Sequence, residues 1–440
     1  MSKALMEAPE AITTEKPVKG IVEEYAVSTS WPEWFQKDQH NAWEEFQSLA
    51  WPTRKDETWR FSNTKMLKLD GYIPAAALED TASLIGKSVS GLDFAARFVF
   101  INNRFVHQDG TALPEGVIVE PLSSAAEKHP DLFRKYFMKQ AVHLGSRKLA
   151  ALHKAHLLGG MLVYVPNDVV LEKPIEIYHW VSGENAAIFP HTLVVLGRNS
   201  RATVIDHYYS ADGAPAFAAG VNDLHLHEGA DLTYLSVQEW SKSSLGIHLN
   251  STIVERNASA RALQVNLGGR FIRTESLSRM VGDGARSDML SISPVSGEQE
   301  LDQRTLQDHA HPNTASDLLY HNSLDDKSRT VFSGLIRVES HAHRTDAYQK
   351  VRNLLLSDEA EANSMPGLEI NADDVRCTHG ATSGQVNENE LFYMQARGIS
   401  PKDAQQLIVA GFLCSVIERL PQVNLREYLF RKIQTSLGVA

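Results

Sequence analysis

The chain has 440 residues, with 43% hydrophobic and 22% charged, which is an ordinary globular composition and long enough for about three domains. Its 43 basic and 54 acidic residues leave a formal charge of −11, which argues against a general nucleic-acid binder and against a polybasic membrane anchor. The longest strongly apolar stretch, 407–417, falls short of the about twenty residues a membrane span needs, and two cysteines, Cys377 and Cys414, exclude a disulfide framework and a four-cysteine metal or cluster site built by this chain alone.

Residues 1–20 carry Pro, Glu, Lys and Thr without apolar periodicity and read as a disordered tail. No apolar segment of signal-peptide type opens the chain, so a cytoplasmic protein is expected. Five of the seven Trp precede residue 60, and Ala42, Trp43, Phe46, Leu49 and Ala50 recur at helical spacing, which predicts a helix stopped by Trp51-Pro52. Residues 52–69 are amphipathic and predict a continuation of that helical unit, and 83–91 read as a polar connection, so an N-terminal helical region spans 21–92. Phe98-Val99-Phe100-Ile101 and Phe105-Val106 flank Asn102-Asn103-Arg104, a hairpin signal, because Asn tolerates the positive φ of a tight turn. Residues 122–158 predict helices, with Leu149, Leu152, His153 and His156 on one side and an end at Gly159-Gly160. The span 93–160 therefore leads into the next unit.

After Met161 short β-type runs dominate, and a repeat lies among them. A turn, a small residue and then a strand recur with the small residue at Ser200, Ala230, Ala258, Ala285, Thr314 and Ser328, at spacings of 30, 28, 27, 29 and 14. The last spacing is half of the others. A flattened coil of about 28 residues per turn, with one strand on each of two faces, accounts for both values. Intervening strands are then expected at 246–254, 270–277 and 298–306. A two-sheet sandwich would place its turns about every 8–12 residues, so a β-solenoid over 161–355 is the better reading. A C-terminal helical domain is expected over 356–440. Ser400-Pro401-Lys402-Asp403 caps one helix there, Pro421 ends it, and Leu425, Tyr428, Leu429 and Ile433 form one face of a last helix closed by Gly438.

The segment from Asp373 to Thr382 gathers Asp373-Asp374, Arg376, Cys377 and His379. A thiolate and an imidazole both suit a soft or borderline metal, and Arg376 is expected to favour the thiolate. Two ligands cannot satisfy a metal that wants four, so the alternatives are a structural loop or a site completed by a partner. Cys414, within 407–417, reads as a small hydrophobe of the core. The pairs His225/His227, His309/His311 and His341/His343 could each face one side of a strand, but they lack supporting carboxylates and read as surface or stacked histidines. Asp325-Asp326 reads as a turn. No Walker loop, H-E-x-x-H or G-x-S-x-G occurs, so no ATPase, zincin or serine-hydrolase chemistry is expected of this chain.

Several strings carry a family likeness: Arg344-Thr-Asp-Ala-Tyr-Gln, Asn353-Leu-Leu-Leu-Ser, the block from Pro366 to Gly384, and Leu391-Phe-Tyr-Met-Gln-Ala-Arg-Gly-Ile-Ser. With Pro52-Thr-Arg-Lys-Asp-Glu-Thr-Trp-Arg-Phe-Ser, Val163-Tyr-Val-Pro and Lys173-Pro-Ile-Glu-Ile, the chain over about 30–437 resembles the SufB/SufD family of iron–sulfur cluster assembly scaffolds. SufB proper fits the block around Asp374-Val-Arg-Cys-Thr-His-Gly-Ala less well. The resemblance implies a helical N-terminal region, a right-handed parallel β-helix and a helical C-terminal domain. It implies a SufB-like paralogue as partner and a SufC-like ABC-type ATPase, docked here around Arg397, Gly398, Leu407, Ile408, Gly411 and Phe412. It places Cys377 and His379 at the partner interface, where His379 matches a histidine implicated in forming a transient cluster shared with the partner. Strands near 330–350 are then expected to meet the partner, and the isolated chain to form a homodimer. Whether the complex holds a flavin stays open. The alternatives are a β-solenoid carbohydrate-active enzyme with a carboxylate-lined groove and a purely structural interaction module.

Overall fold

The computed structural model describes residues 19–25, 30–140 and 144–438; the tail expected at 1–20 lies, except for Lys19 and Gly20, outside the described residues. The middle of the chain is a β-solenoid of about eight turns. One sheet stacks Met161–Val165, His191–Leu196, Ala216–Leu226, Leu245–Val254, Phe271–Met280, Glu300–His309, Arg329–Val338 and Glu361–Ile370. The other stacks Ile175–Val181, Arg201–Ser210, Asp231–Glu239, Ser259–Asn266, Arg286–Val295, Ala315–Leu324, Asp346–Leu355 and Arg376–Gln385. Every pair within these two stacks is parallel.

The repeat read from the sequence is the stacking register. Arg201, Asp231, Ser259, Arg286 and Ala315 pair in succession, so the small residues before them stack too. Ser328 precedes Arg329, which pairs with Glu300 in the opposite sheet, and that is the half-length spacing. The corner two residues before each of these strands is left-handed: Asn199, Gly229, Asn257, Gly284 and Asn313 have φ of 54, 71, 54, 72 and 55°. Asn and Gly tolerate that conformation, which is why they recur there.

The strands are near-continuously buried because both faces are covered. Inside, the first coils pack Phe98, Phe100, Val163, Ile177, Val204 and Leu232. Farther along, the interior turns polar and is knit by side-chain ladders such as Asn222–Asn250 at 2.9 Å and Asn322–Asn353 at 3.0 Å. Outside, the helices Glu33–Ser48 and Arg147–His156 place Ala42, Trp43, Phe46, Leu149 and Leu152 on Phe217, Val221 and Leu249 of the first sheet. The helices Pro401–Cys414 and Val423–Leu437 fold back on the second sheet, where Val409, Leu413, Leu425 and Leu429 meet Ile205, Leu235, Leu263 and Leu290. The caps hold as expected: Ser400 accepts from the Asp403 N–H, and Gly438 closes the last helix with φ 67°. The hairpin joins Ala96–Ile101 to Arg104–Gly110 through Asn102 and Asn103, both left-handed.

Three expectations change. Residues 52–69 form only two short 3₁₀ turns, Glu57–Trp59 and Thr64–Met66. Their backbone serves the solenoid instead: Arg273, fully buried over the Trp59 ring at 3.7 Å, donates to the Thr58 carbonyl, and Arg304 donates to the Arg60 carbonyl. The connection at 83–91 contains a short helix, Ala82–Lys87, with Leu84 buried. The solenoid also runs past 355, because Glu361–Ile370 and Arg376–Gln385 complete a last coil and the helical part starts at Glu388. That coil covers no further strand. Its side chains are mostly exposed and include Pro366, Gly367, Gly380 and Gly384, so the apolar alternation that marks a half-buried strand is missing.

A candidate cluster-assembly site at the open coil end

Cys377 and His379 lie on the strand Arg376–Gln385, not in a loop. In register they sit beside Ala347 and Gln349. On that neighbouring strand Ala347, Gln349, Val351 and Asn353 are buried and alternate with exposed residues, so they face the interior. Cys377, His379, Ala381 and Ser383 continue that inward column one coil further. The opposite strand brings Ser364 to the same mouth: Asn353 Nδ2 donates to Ser364 Oγ and to Ser383 Oγ, both at 3.2 Å. The interior is open at this end, and of the last strand's ten residues only Cys377 is more than slightly covered.

Cys377 is half-buried against Ile336, Val338, Ala342 and Ala347. Burial, and then the charge of Asp346, push its thiol up from the usual range. The thiolate expected from Arg376 is therefore not favoured, since adjacent strand residues point to opposite faces and Arg376 is exposed. His379 is exposed. Together they offer one thiol and one imidazole at a strand edge whose outer backbone groups have no neighbouring strand among the described residues. Among the described residues no three His, Cys, Asp or Glu side chains gather to hold a metal ion. The strands near 330–350 are not at the end of the stack, because Arg329–Val338 and Asp346–Leu355 are each followed by another strand.

The other candidates take structural places. Asp374 is a left-handed corner, φ 56°, paired with Arg344 at 3.8 Å, and the Asp373 carbonyl lies 2.9 Å from His343 Nδ1. Asp326 is a left-handed turn residue whose carboxylate accepts from the Gly297 N–H. His309 is buried between Thr314 Oγ1 and Ser316 Oγ, His341 meets the Ala310 carbonyl, and His311 lies 3.4 Å from the Pro312 carbonyl. His225 and His227 do converge, but on Tyr136: His225 Nε2 meets its carbonyl at 3.1 Å and His227 Nε2 its hydroxyl at 2.6 Å.

In the C-terminal helices, Arg397, Gly398, Leu407 and Gly411 are exposed and Ile408 is partly covered. Phe412 turns the other way, stacked on His321 of the second sheet with Arg352 beside it. Phe392 and Tyr393, met in the sequence only within a family-like string and not as site residues, are 73% and 61% exposed on the helix Glu388–Ala396, a helix without a buried residue. Two adjacent aromatics in a segment with no apolar periodicity were the available signal. A groove of about 430 Å³ beside Cys414, Ile417, Val423 and Phe430 was also missed. Cys414 is half-buried at its wall, and burial with Glu418 pushes its thiol up to about 11.

Residues 179–412 match the family model described as the SufBD core domain of the SUF system for FeS cluster assembly, and residues 23–177 match the SufBD protein N-terminal region. The chain belongs to the SufBD family. It is 28% identical over 423 residues to the iron–sulfur cluster assembly protein SufD of Bacillus subtilis, covering 92% of this chain and 94% of that one. A SufBD family protein of Synechocystis is 25% identical over 441 residues, covering 98% of this chain and 97% of that one. One from Staphylococcus aureus is 26% identical over 332 residues, covering 74% of this chain and 70% of that one. This SufBD chain is thus a protein of the SUF system for iron–sulfur cluster assembly. The two matched regions meet inside the strand Ile175–Val181, so the solenoid's first coils span the join.

Proposed function

We propose that this chain is the SufD-like subunit of a SufBCD-type complex, in which it supports iron acquisition and nascent cluster assembly without catalysing a reaction of its own. The observation that carries this reading is the open coil end, where Cys377 and His379 lie on one of two end strands whose outer edges pair with no strand among the described residues. Such edges call for another chain. A SufB-like paralogue, built on the same coil, meets them by adding its own last strands, and a second copy of this chain meets them when the paralogue is absent. Iron and sulfide are cargo in this scheme. His379 supplies an imidazole nitrogen, and Cys377 a thiol held in reserve by its burial, while the remaining ligands come from the paralogue.

The SufC-like ATPase docks on the exposed side of the C-terminal helices, around Arg397, Gly398, Leu407, Ile408 and Gly411, with Phe392 and Tyr393 as added anchors. The complex works in the cytoplasm; among the described residues no helix is long and apolar enough to cross a membrane.

Co-expression with a SufB-like and a SufC-like chain tests the proposal. A three-component complex that accumulates iron and sulfide anaerobically is expected. A chain that stays monomeric and binds neither partner would refute it.

A further inference from the structure

The loop that follows the helix Glu33–Ser48, from Trp51 to Lys68, is anchored from beneath by the solenoid. Trp59 is buried, and its Nε1 donates to the Gly145 carbonyl at 2.9 Å. Arg273 donates to the Thr58 carbonyl and Arg304 to the Arg60 carbonyl, both at 2.9 Å, and the Ser62 hydroxyl donates to the Asp302 carboxylate. Asn63 Nδ2 donates to Glu300 Oε1 at 2.7 Å. Arg54 Nε donates to the Ser62 carbonyl at 3.3 Å and closes the loop, so the limb that starts at Trp51 lies beside the limb that carries Arg60 and Phe61.

The outer side of this loop is cationic and aromatic. Residues 54–68 carry five cations, Arg54, Lys55, Arg60, Lys65 and Lys68, against two acids, in a chain of net charge −11. All five cations are exposed. One of the acids, Asp56, is turned to the loop's own backbone, where its Oδ2 accepts from the Thr53 N–H at 2.7 Å. Elsewhere on the surface cations are matched, as Arg256 by Glu228, Arg270 by Glu298 and Lys327 by Glu359, whereas among the described residues none of these five pairs with a carboxylate. Phe61 is exposed, with the Arg60 guanidinium 5.2 Å from its ring centroid, and it is left-handed at φ 65°, a strained state for a bulky side chain. Trp51 is exposed on the other limb.

We propose that this loop is a docking site for an acidic peptide segment of a partner protein, whose carboxylates meet Arg54, Arg60 and Lys65 and whose apolar side chains rest on Phe61 and Trp51. Charge sets the class of ligand. At physiological salt a charge is felt over about 8 Å, so a short segment meets the local excess of cations and not the −11 of the whole chain. A membrane or a nucleic acid is a wide negative surface and would meet the surrounding acids as well. Arg and aromatic side chains are the groups that most often dominate binding energy, and a site held rigid before binding loses less freedom on binding. A buried ion network gains little stability over apolar packing of the same volume, so the one beneath this loop is better explained by the position it fixes. The strain at Phe61 has the same reading, since Gly would relieve it but would remove the ring.

The test uses the full chain and a short fluorescent peptide of alternating Glu and Leu, with binding read by anisotropy. Saturable binding that weakens as salt is raised is expected. Arg60→Glu combined with Lys65→Glu is expected to weaken it about tenfold with the melting temperature unchanged, because both side chains are exposed and Arg304 holds only the Arg60 carbonyl. Phe61→Gly is expected to hold or raise the melting temperature, since Gly adopts φ 65° without strain, and yet to weaken peptide binding severalfold. The absence of saturable binding overturns the proposal, as does affinity unchanged by the charge reversals or by Phe61→Gly. Equal or tighter binding of phosphatidylserine vesicles or of single-stranded DNA overturns it as well, because the loop would then be a general anion surface.

Discussion

Phe412 lies flat on His321, ring centroids 4.4 Å apart and planes 6° apart, and the His321 Nδ1–H donates to the Phe412 carbonyl at 2.8 Å. The contact joins the helix Pro401–Cys414 to the strand Ala315–Leu324. Phe412 therefore belongs to the attachment of the C-terminal domain and not to the surface offered to a partner. Phe412→Asp is expected to loosen the domain by about 2 kcal/mol, below the cost of removing a fully buried aromatic because the ring is half-buried, and to abolish ATPase binding only indirectly. Leu407→Asp, on the 41% exposed side, is expected to weaken ATPase binding with the melting temperature unchanged. Melting curves and pull-down of the two variants separate these effects. ATPase binding unaffected by Leu407→Asp would move the docking site elsewhere.

The same histidine predicts acid sensitivity. Burial, against the help of the Phe412 carbonyl, holds His321 down to about 4, below the 6.5 of a free ring. Between these values the unfolded chain binds a proton that the folded one refuses. Stability is full above about pH 6.5 and falls as the pH drops toward 4. Hydrogen exchange of the helices Pro401–Cys414 and Val423–Leu437 is expected to accelerate in that window before the solenoid opens. In His321→Gln this pH dependence is expected to flatten. His156, His248 and His309, also held to about 4, act on other parts of the fold, so an unchanged profile in His321→Gln would assign the effect to them.

A third prediction concerns the corners of the coil. A Cβ added at Gly284 would lie 2.3 Å from Asn257 Oδ1, and the residue is already left-handed at φ 72°. Gly284→Ala is expected to cost about 1–3 kcal/mol, read as a lowered melting temperature with the β signal in circular dichroism retained. Asn257→Gly, one coil earlier, removes the obstructing side chain, and in that background Gly284→Ala is expected to cost less. Equal costs in both backgrounds would mean that backbone strain alone sets the penalty.

These corners also show why the solenoid was legible. A left-handed Asn or Gly followed by a small buried residue recurs once per coil, and a local chemical demand leaves a mark at each recurrence. The last coil left no such mark in its strands, because a strand with nothing stacked beyond it needs no apolar alternation. The outer face of the first sheet misleads in the opposite direction. Arg273, Asp302 and Arg304 are of residue types that ordinarily face solvent, yet they are buried, because the segment around Trp59 folds over them from more than two hundred residues away in sequence.

The cluster site gives the last prediction. His379 is exposed and its nitrogen is unobstructed, whereas Cys377 is half-buried with its thiol pushed up. A metal prefers the ligand that needs less desolvation and less proton loss, so the imidazole is the stronger contributor. His379→Ala is expected to leave the fold and the partner complex intact, since an exposed side chain at the open end removes little apolar contact. Iron and sulfide per complex are expected to fall severalfold. Cys377→Ser is expected to fall less in cluster content but to lose about 1 kcal/mol of stability, because its sulfur packs on Val338 and Ala347. Cys377→Ala keeps much of that apolar contact and separates packing from ligation. Anaerobic purification with iron and sulfide quantitation reads the outcome. Full cluster content in His379→Ala would remove the imidazole from the site, and a Cys377→Ala complex as depleted as His379→Ala would show that the thiol ionises at the interface despite its burial in the free chain.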